Sequence, residues 1–249
     1  MRFSSYGRSY HSTKKTNQEK NIIASLLQGD GNNDYEKYMR INSLLSLQRE
    51  KSEWIYRDEL LFQITHQSTE LWLKLQNEEL EEAARELNAG CLAKATVLVR
   101  RGMECIKLIS QQLEILTFMS PYDFLKIRPA LGNGSGMESP GWRNVNINAK
   151  KLAKAFNDYV REQHIELIDV YTKKAHSEFY NLCESLINWD EQVAMWRMRH
   201  YKIAVRTIGH GSIGTKGTPV DKLTQRLNMK YFIELWEVRT KLTELSSGY

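Results

Sequence analysis

Two histidines lie on the apolar faces of predicted helices, and this placement is the strongest sign of chemistry in the sequence. His66 shares one helical face with Phe62, Thr69 and Leu73. His200 shares another with Val193, Trp196, Ile203 and Thr207. A neutral imidazole can ligate haem iron, and a second one can serve as a distal base or hydrogen-bond partner. Spacing alone leaves the alternative open that both are ordinary core histidines bonded to the backbone.

Three other kinds of site have weaker support. His66 and Glu70 have the i, i+4 spacing of shared metal ligation, but no histidine has a glutamate three residues before it, as di-iron bundles require. The tripeptide 134–136, Gly-Ser-Gly, is not the G-x-S-x-G elbow of hydrolases. The glycine-rich stretch 209–217 lacks the P-loop spacing, although Lys216 follows a Gly-Thr pair.

The helix that carries His66 is predicted to run from about residue 58 to Leu87. Its second apolar stripe consists of Leu61, Ile64, Leu71 and Leu75. A helix with two apolar stripes is expected to be packed on two sides, so His66 should point into the interior. A short Asn-Ala-Gly connection leads to a second helix, about residues 92–117, and the two should form an antiparallel hairpin.

The second half of the chain must position His200. Ser120-Pro121 predicts the start of a short helix that stops near Arg128, before Pro129. An irregular glycine-rich segment should follow, with helical pattern from about 148 to 186. Residues 188–190, Asn-Trp-Asp, are expected to open the helix of His200, which ends at Gly209. A last helix is predicted from about Val220.

Composition favours an all-α protein whose helical bundle could enclose a cofactor. The 249 residues include only four prolines, and no apolar run reaches the length of a membrane span. The net charge of +5 is concentrated in residues 1–20, which carry +4. We therefore expect a basic flexible arm at 1–30, a domain at 31–249, and neither nucleic acid nor membrane as a partner.

The three cysteines are Cys91, Cys105 and Cys183. Their odd number and wide spacing predict buried free thiols in a reducing, cytoplasmic compartment.

Four segments resemble tryptophan 2,3-dioxygenases, in family order. Residues 58–72, D-E-L-L-F-Q-I-T-H-Q-S-T-E-L-W, resemble the distal-histidine helix. Residues 196–209, W-R-M-R-H-Y-K-I-A-V-R-T-I-G, resemble the proximal-histidine helix. F-L-K-I-R, residues 124–128, is similar to the segment that holds the substrate carboxylate, and G-T-K-G-T, residues 214–218, to the loop that closes over the amino acid.

The resemblance implies an all-helical protein that binds haem b, uses dioxygen and forms a homo-oligomer, a tetramer or dimer. It implies His200 as the axial iron ligand and His66 as the distal residue facing the indole N–H. Substrate-binding roles are implied for Arg128 and Thr215, which hold the carboxylate and ammonium, for Phe62 and Phe124, which wall the pocket, and for Tyr35 and Tyr38, which reach a neighbouring subunit's site. The implied reaction inserts dioxygen into the indole C2–C3 bond and gives N-formylkynurenine.

The sequence departs from the family pattern near the expected substrate. M-E-S-P-G-W-R, residues 137–143, stands where the family has F-Q-S-x-Q-F-R, and G-T-K-G-T-P-V, residues 214–220, where it has G-T-G-G-S-S-G. Lys216 and Pro219 thus replace small residues. Two alternatives to the dioxygenase follow. One is a haem monooxygenase of secondary metabolism that acts on tyrosine or a modified tryptophan, and the other is a non-enzymatic helical binding protein.

Overall fold

The computed structural model describes residues 16, 22, 26–173 and 177–246, which fall in two compact units divided between Glu53 and Trp54. From Asp34 onward the first unit contains two short helices, α1 (Asp34–Met39) and α2 (Ile41–Leu45), and a 3₁₀ turn, Lys51–Glu53. Most of the predicted arm at 1–30 lies outside the described residues, and its boundary with the domain stays a prediction. Apart from an isolated bridge between Ile213 and Pro219, the described part of the chain contains no β-structure. The all-α prediction is confirmed.

The second unit contains seven α-helices among its described residues. They are α3 (Glu59–Asn88), α4 (Leu92–Gln112), α5 (Pro121–Ile127), α6 (Pro140–Glu162), α7 (Leu167–Thr172), α8 (Ser177–Ile208) and α9 (Ile233–Ser246). Short 3₁₀ helices occur at Leu113–Phe118, Arg128–Leu131, Gly136–Glu138 and Val220–Arg226. None of the described helices is long and apolar enough to cross a membrane.

Four long helices form the core of this unit. The predicted hairpin of α3 and α4 is confirmed; α6 packs on the other flank of α3, and α8 packs along α4. Large aromatic side chains join α6 to α8, where the rings of Phe156 and Phe179 stack at 5.6 Å between centroids. The fully buried side chains of this core include Leu73, Leu80, Phe156 and Trp189. Burying a large apolar side chain stabilises the folded state by roughly 1.5–3 kcal/mol.

Several sequence expectations about helix boundaries are wrong. The helix expected from 148 begins at Pro140, because Ser139 caps it by accepting a hydrogen bond from the backbone N–H of Trp142 at 3.1 Å. The helix expected from 188 begins at Ser177 and passes without a break through Asp190. Only a 3₁₀ turn forms at 220–226, and the last α-helix begins at Ile233.

The exposure of individual side chains contradicts two expectations, one about the second apolar stripe of α3 and one about Cys91. The stripe of Ile64, Leu71 and Leu75 is exposed at 48%, 53% and 40%, so α3 is packed mainly along its other face. Cys105 and Cys183 are buried free thiols as predicted, whereas Cys91 is exposed in the turn between α3 and α4.

Candidate functional site

His66 lies in the second turn of α3 with its tautomer fixed by the helix itself. Its Nδ1 lies 2.8 Å from the backbone carbonyl oxygen of Phe62. Since a carbonyl oxygen only accepts, Nδ1 must carry the proton. Burial lowers the pKa of His66 below its ordinary 6.5, although the bond to Phe62 and the charge of Glu70 act in the opposite direction. The imidazole is therefore neutral at neutral pH, and its Nε2 is a free acceptor.

His200 lies on the inner face of α8, as the sequence predicts. Burial, with a smaller contribution from the charge of His66, lowers the pKa of His200 to about 4. Its ring lies nearly parallel to that of Trp196, one turn earlier, with 5.0 Å between centroids and 7° between planes. A neutral imidazole held by ring stacking has its lone pair available as a ligand.

The two histidines lie on helices that share a neighbour, close enough for one to act electrostatically on the other. α3 and α8 each pack along α4, and the charge of His66 acts on the pKa of His200, so the rings lie within electrostatic reach. His66 is solvent-exposed and His200 half-buried by surface area, yet burial is the main cause of both lowered pKa values. The expectation that His66 points into the interior is therefore wrong, because water reaches its side chain.

Aromatic rings form one wall beside His66. The centroid of Phe62 lies 4.1 Å from that of His66 and 5.9 Å from that of Phe124. Both phenylalanines pack against a small apolar cluster, together with Leu61, Tyr56 and Trp196; the buried members of the cluster are Leu113, Leu116, Met119, Ile127 and Ile203. The structure thus brings Phe62 and Phe124 together with His66, as expected.

Arg128 and Thr215 meet through the glycine loop, residues 209–219. Arg128 ends α5, and its Nη2 donates to the carbonyl oxygen of Ile213 at 2.6 Å. The hydroxyl of Thr215 donates to the carbonyl oxygen of Gly134. Both side chains are half-buried. The bond to Ile213 uses one of the five guanidinium N–H groups, and the other four can donate to another partner. Arg128 can therefore still bind a carboxylate.

Sequence reasoning missed the aromatic stack behind His200. The indole of Trp142 on α6 lies 4.0 Å from that of Trp196, between centroids, with 35° between planes. The Nε1 atoms of both tryptophans are buried and have no hydrogen-bond partner among the described residues. The i−4 position of Trp196 relative to His200 was a usable signal. Nothing in the local sequence pairs Trp142 with them.

The carboxylate of Glu70 accepts hydrogen bonds from the start of helix α6, so its oxygens are not directed at a metal ion. Its Oε1 accepts from the hydroxyl of Ser139, and its Oε2 accepts from the backbone N–H of Gly141 at 3.0 Å. Anions are favoured at helix N-termini for this reason. No group of three or more His, Cys, Asp or Glu side chains within the described ranges could hold a metal ion. The histidine–glutamate metal site therefore finds no support.

Ser135 also has a structural use. Its hydroxyl accepts a hydrogen bond from the backbone N–H of Met137 at 3.3 Å and caps the 3₁₀ turn Gly136–Glu138. A cavity of about 400 Å³ lies at the C-terminal end of α8, lined by residues 116–121, Arg206 and Thr207. Tyr35 and Tyr38 belong to the first unit, where their side chains are 66% and 63% exposed.

Comparison with known proteins decides the family. A family model described as tryptophan 2,3-dioxygenase matches residues 24–164, more than half of the chain and the part that contains His66, Phe124 and Arg128. The chain belongs to this family. A tryptophan 2,3-dioxygenase of Shewanella woodyi is 30% identical over 86% of this chain and 92% of its own length. One of Myxococcus xanthus is 28% identical over 92% and 95%, and one of Arthrobacter 29% over 92% and 98%.

Proposed function

We propose that this protein is a haem-dependent oxygenase that inserts dioxygen into the indole C2–C3 bond of L-tryptophan or a substituted tryptophan. The observation that carries the proposal is the placement of two histidines on helices that share α4 as a neighbour. His66 lies beside the aromatic wall of Phe62, and the ring of His200 lies parallel to that of Trp196. Family membership supplies the substrate class, since the relatives are named for tryptophan.

The residues around His200 fit a haem. A neutral imidazole ligates haem iron, and the apolar cluster beside Trp196 suits a porphyrin face. The buried N–H groups of Trp142 and Trp196 suit a group that brings hydrogen-bond acceptors, and the propionates of haem are such acceptors. His200 would hold the iron, with Trp196 fixing its ring. Haem, when bound, supplies the dioxygen chemistry.

His66 would bind the indole N–H of the substrate. Its Nδ1 is committed to the carbonyl of Phe62, so Nε2 presents a lone pair. A neutral imidazole in this tautomer accepts a hydrogen bond and can take a proton, whereas an imidazolium can do neither. Phe62 and Phe124 would hold the indole ring in position by aromatic contact.

Arg128 and Thr215 would bind the amino-acid end of the substrate. The planar guanidinium of Arg128 suits a carboxylate, and the hydroxyl of Thr215 can turn from Gly134 to the carboxylate or ammonium. In a homotetramer or dimer, the exposed rings of Tyr35 and Tyr38 would reach the site of a neighbouring subunit.

A monooxygenase acting on tyrosine or a modified tryptophan is the second candidate. It is favoured by the departures from the family pattern at Glu138 and Lys216, which form an ion pair beside Thr215. The two reactions share the haem and differ in the number of oxygen atoms added to the product.

The decisive experiment is anaerobic titration of the ferrous protein with L-tryptophan, substituted tryptophans and tyrosine, followed by oxygen and product mass analysis. Two added oxygen atoms per product support the proposal, and one supports the monooxygenase. A protein with no haem absorption band, even after haem is supplied, would contradict both oxygenase functions and would favour a non-enzymatic helical binding protein. His66→Ala should slow or misdirect oxygenation while haem stays bound; haem loss in that variant would reverse the two histidine roles.

A further inference from the structure

The glycine loop is folded as a tight hairpin that presents two side chains at its tip. The backbone N–H of Gly214 donates to the carbonyl of Thr218 at 2.9 Å, and that of Gly217 donates to the carbonyl of Gly214 at 3.0 Å. Gly217 has φ 71°, a left-handed conformation that glycine adopts without strain. This turn geometry places Thr215 and Lys216 at its two corners, and the tip of the loop is therefore defined by its own backbone bonds.

Three contacts tie this tip to the connection between α5 and α6, residues 128–139. Two are the bonds already described, from Arg128 to Ile213 and from Thr215 to Gly134. The third is an ion pair between the Nζ of Lys216 and the Oε1 of Glu138. Glu138 is itself held in place, because its Oε2 accepts from the backbone N–H of Ser135 at 3.0 Å in a capping box.

The three contacts differ in what substrate binding would do to them. Under the proposed function, Thr215 must turn its hydroxyl toward the substrate, so its bond to Gly134 is exchanged. Arg128 meets the carboxylate with the N–H groups that its bond to Ile213 does not use. The ion pair uses neither group and can persist with and without substrate. Hydrogen bonds from Lys216 and from the backbone of Ser135 hold the pKa of Glu138 below its ordinary value, so the carboxylate is ionised at neutral pH.

We propose that Lys216 and Glu138 are positioning residues, an ionic clamp that keeps the tip of the glycine loop on the α5–α6 connection and presents Thr215 and Arg128 to the substrate as a unit. The clamp rests on the proposed function for the identity of that substrate. Both positions are ones at which this sequence departs from the family pattern, with Lys216 replacing a small residue and Glu138 a glutamine. The side chains are 45% and 49% exposed, so salt should weaken the clamp.

Amide hydrogen exchange of the holoprotein without substrate tests the clamp directly. In Lys216→Met and in Glu138→Gln, amides of residues 210–218 should exchange roughly two- to fivefold faster, the range expected for an exposed ion pair. Lys216→Arg keeps the charge opposite Glu138 and should exchange as slowly as the wild type. Unchanged exchange in both single variants overturns the clamp. Acceleration spread over all helices also overturns it, because the pair would then support the whole fold.

A matched control pair lies elsewhere on the surface. Lys151 of α6 and Glu81 of α3 are 3.2 Å apart and 53% and 48% exposed. Removing either charge should leave exchange at 210–218 unchanged. A loop that responds equally to this distant pair would contradict a local clamp.

Substrate affinity provides the second readout. Under the proposal, L-tryptophan binds the wild-type holoprotein more weakly as salt rises, and Lys216→Met binds it weakly with a smaller salt dependence. The same affinity and the same salt dependence in both proteins would count against positioning. If the variants show the exchange effects but the wild-type holoprotein binds neither L-tryptophan nor substituted tryptophans, the proposed function is refuted and the clamp stands. Intact L-tryptophan binding with unchanged exchange refutes the clamp alone.

Discussion

The imidazole of His200 lies nearly parallel to the indole of Trp196, with 5.0 Å between ring centroids and 7° between ring planes. The indole of Trp196 is in turn in tilted contact with that of Trp142 on α6, at 4.0 Å between centroids. No hydrogen bond to the His200 ring is present among the described residues, so stacking sets its orientation. In this respect the position of the ring depends on a helix, α6, that is distant in sequence.

This stack predicts a graded effect on haem binding. Trp196→Leu should weaken haem affinity by roughly 0.5–1.5 kcal/mol, the contribution typical of an aromatic pair, whereas Trp196→Phe keeps a ring and should stay close to wild type. His200→Ala sets the lower limit and should not retain haem. Titration of haem into the haem-free proteins, followed by absorption, measures all three. Equal affinities for the leucine and phenylalanine variants would show that stacking is not what positions His200.

Arg128 provides a test of substrate recognition. Arg128→Ala should weaken L-tryptophan binding by about 2–5 kcal/mol if the guanidinium pairs with a buried carboxylate. Arg128→Lys keeps the charge but loses the planar fork, so it should recover only part of the affinity. Spectral titration of the haem-loaded proteins provides the measurement.

The control for Arg128 lies two residues earlier on α5. Lys126 is exposed, and its ammonium lies 4.9 Å from the ring centroid of Tyr122. Lys126→Ala removes a positive charge from the same helix and should leave affinity unchanged. A loss as large as that of Arg128→Ala would mean that general electrostatic attraction, not a specific contact, holds the substrate.

The sequence predicted the histidine faces because that information is local. Helical spacing alone put His66 beside Phe62 and His200 beside Trp196, and the structure confirms both placements. Ser120 was predicted as a cap for the same reason, and it forms a capping box with Asp123. Patterns within one or two turns are enough to fix such features.

Features that depend on distant partners were not predicted. Asp190 was read as part of a helix start, yet it is buried within α8 and accepts from the backbone N–H of Tyr231 at 2.9 Å and the Nε1 of Trp236 at 3.0 Å. A polar residue that pairs with groups 41 and 46 positions away looks like a cap in a local window. The exposure of Ile64 and Leu71 is a similar case, because apolarity does not say what covers a face.

Gly141 predicts a steric test of the α3–α6 contact. A Cβ at this position would lie 2.6 Å from the Oε2 of Glu70 and 2.8 Å from the Cβ of Leu73. Gly141→Ala should therefore destabilise the protein by about 1–3 kcal/mol, as expected for overpacking. Gly136→Ala is the control, since a Cβ there meets nothing within 4 Å. Urea denaturation measures both, and equal midpoints for the two variants would show that α6 can shift without cost.

The three cysteines should differ in reactivity with a thiol reagent. Burial, with a smaller contribution from Glu184, raises the pKa of Cys183 to about 12, and burial also raises that of Cys105. Because the thiolate is the nucleophile, both should be unreactive in the folded protein at mildly alkaline pH, while exposed Cys91 reacts quickly. Chromogenic thiol titration should count one fast thiol, none in Cys91→Ser, and three in the denatured wild type. Two fast thiols in the folded protein would mean that α4 or α8 opens readily around its buried cysteine.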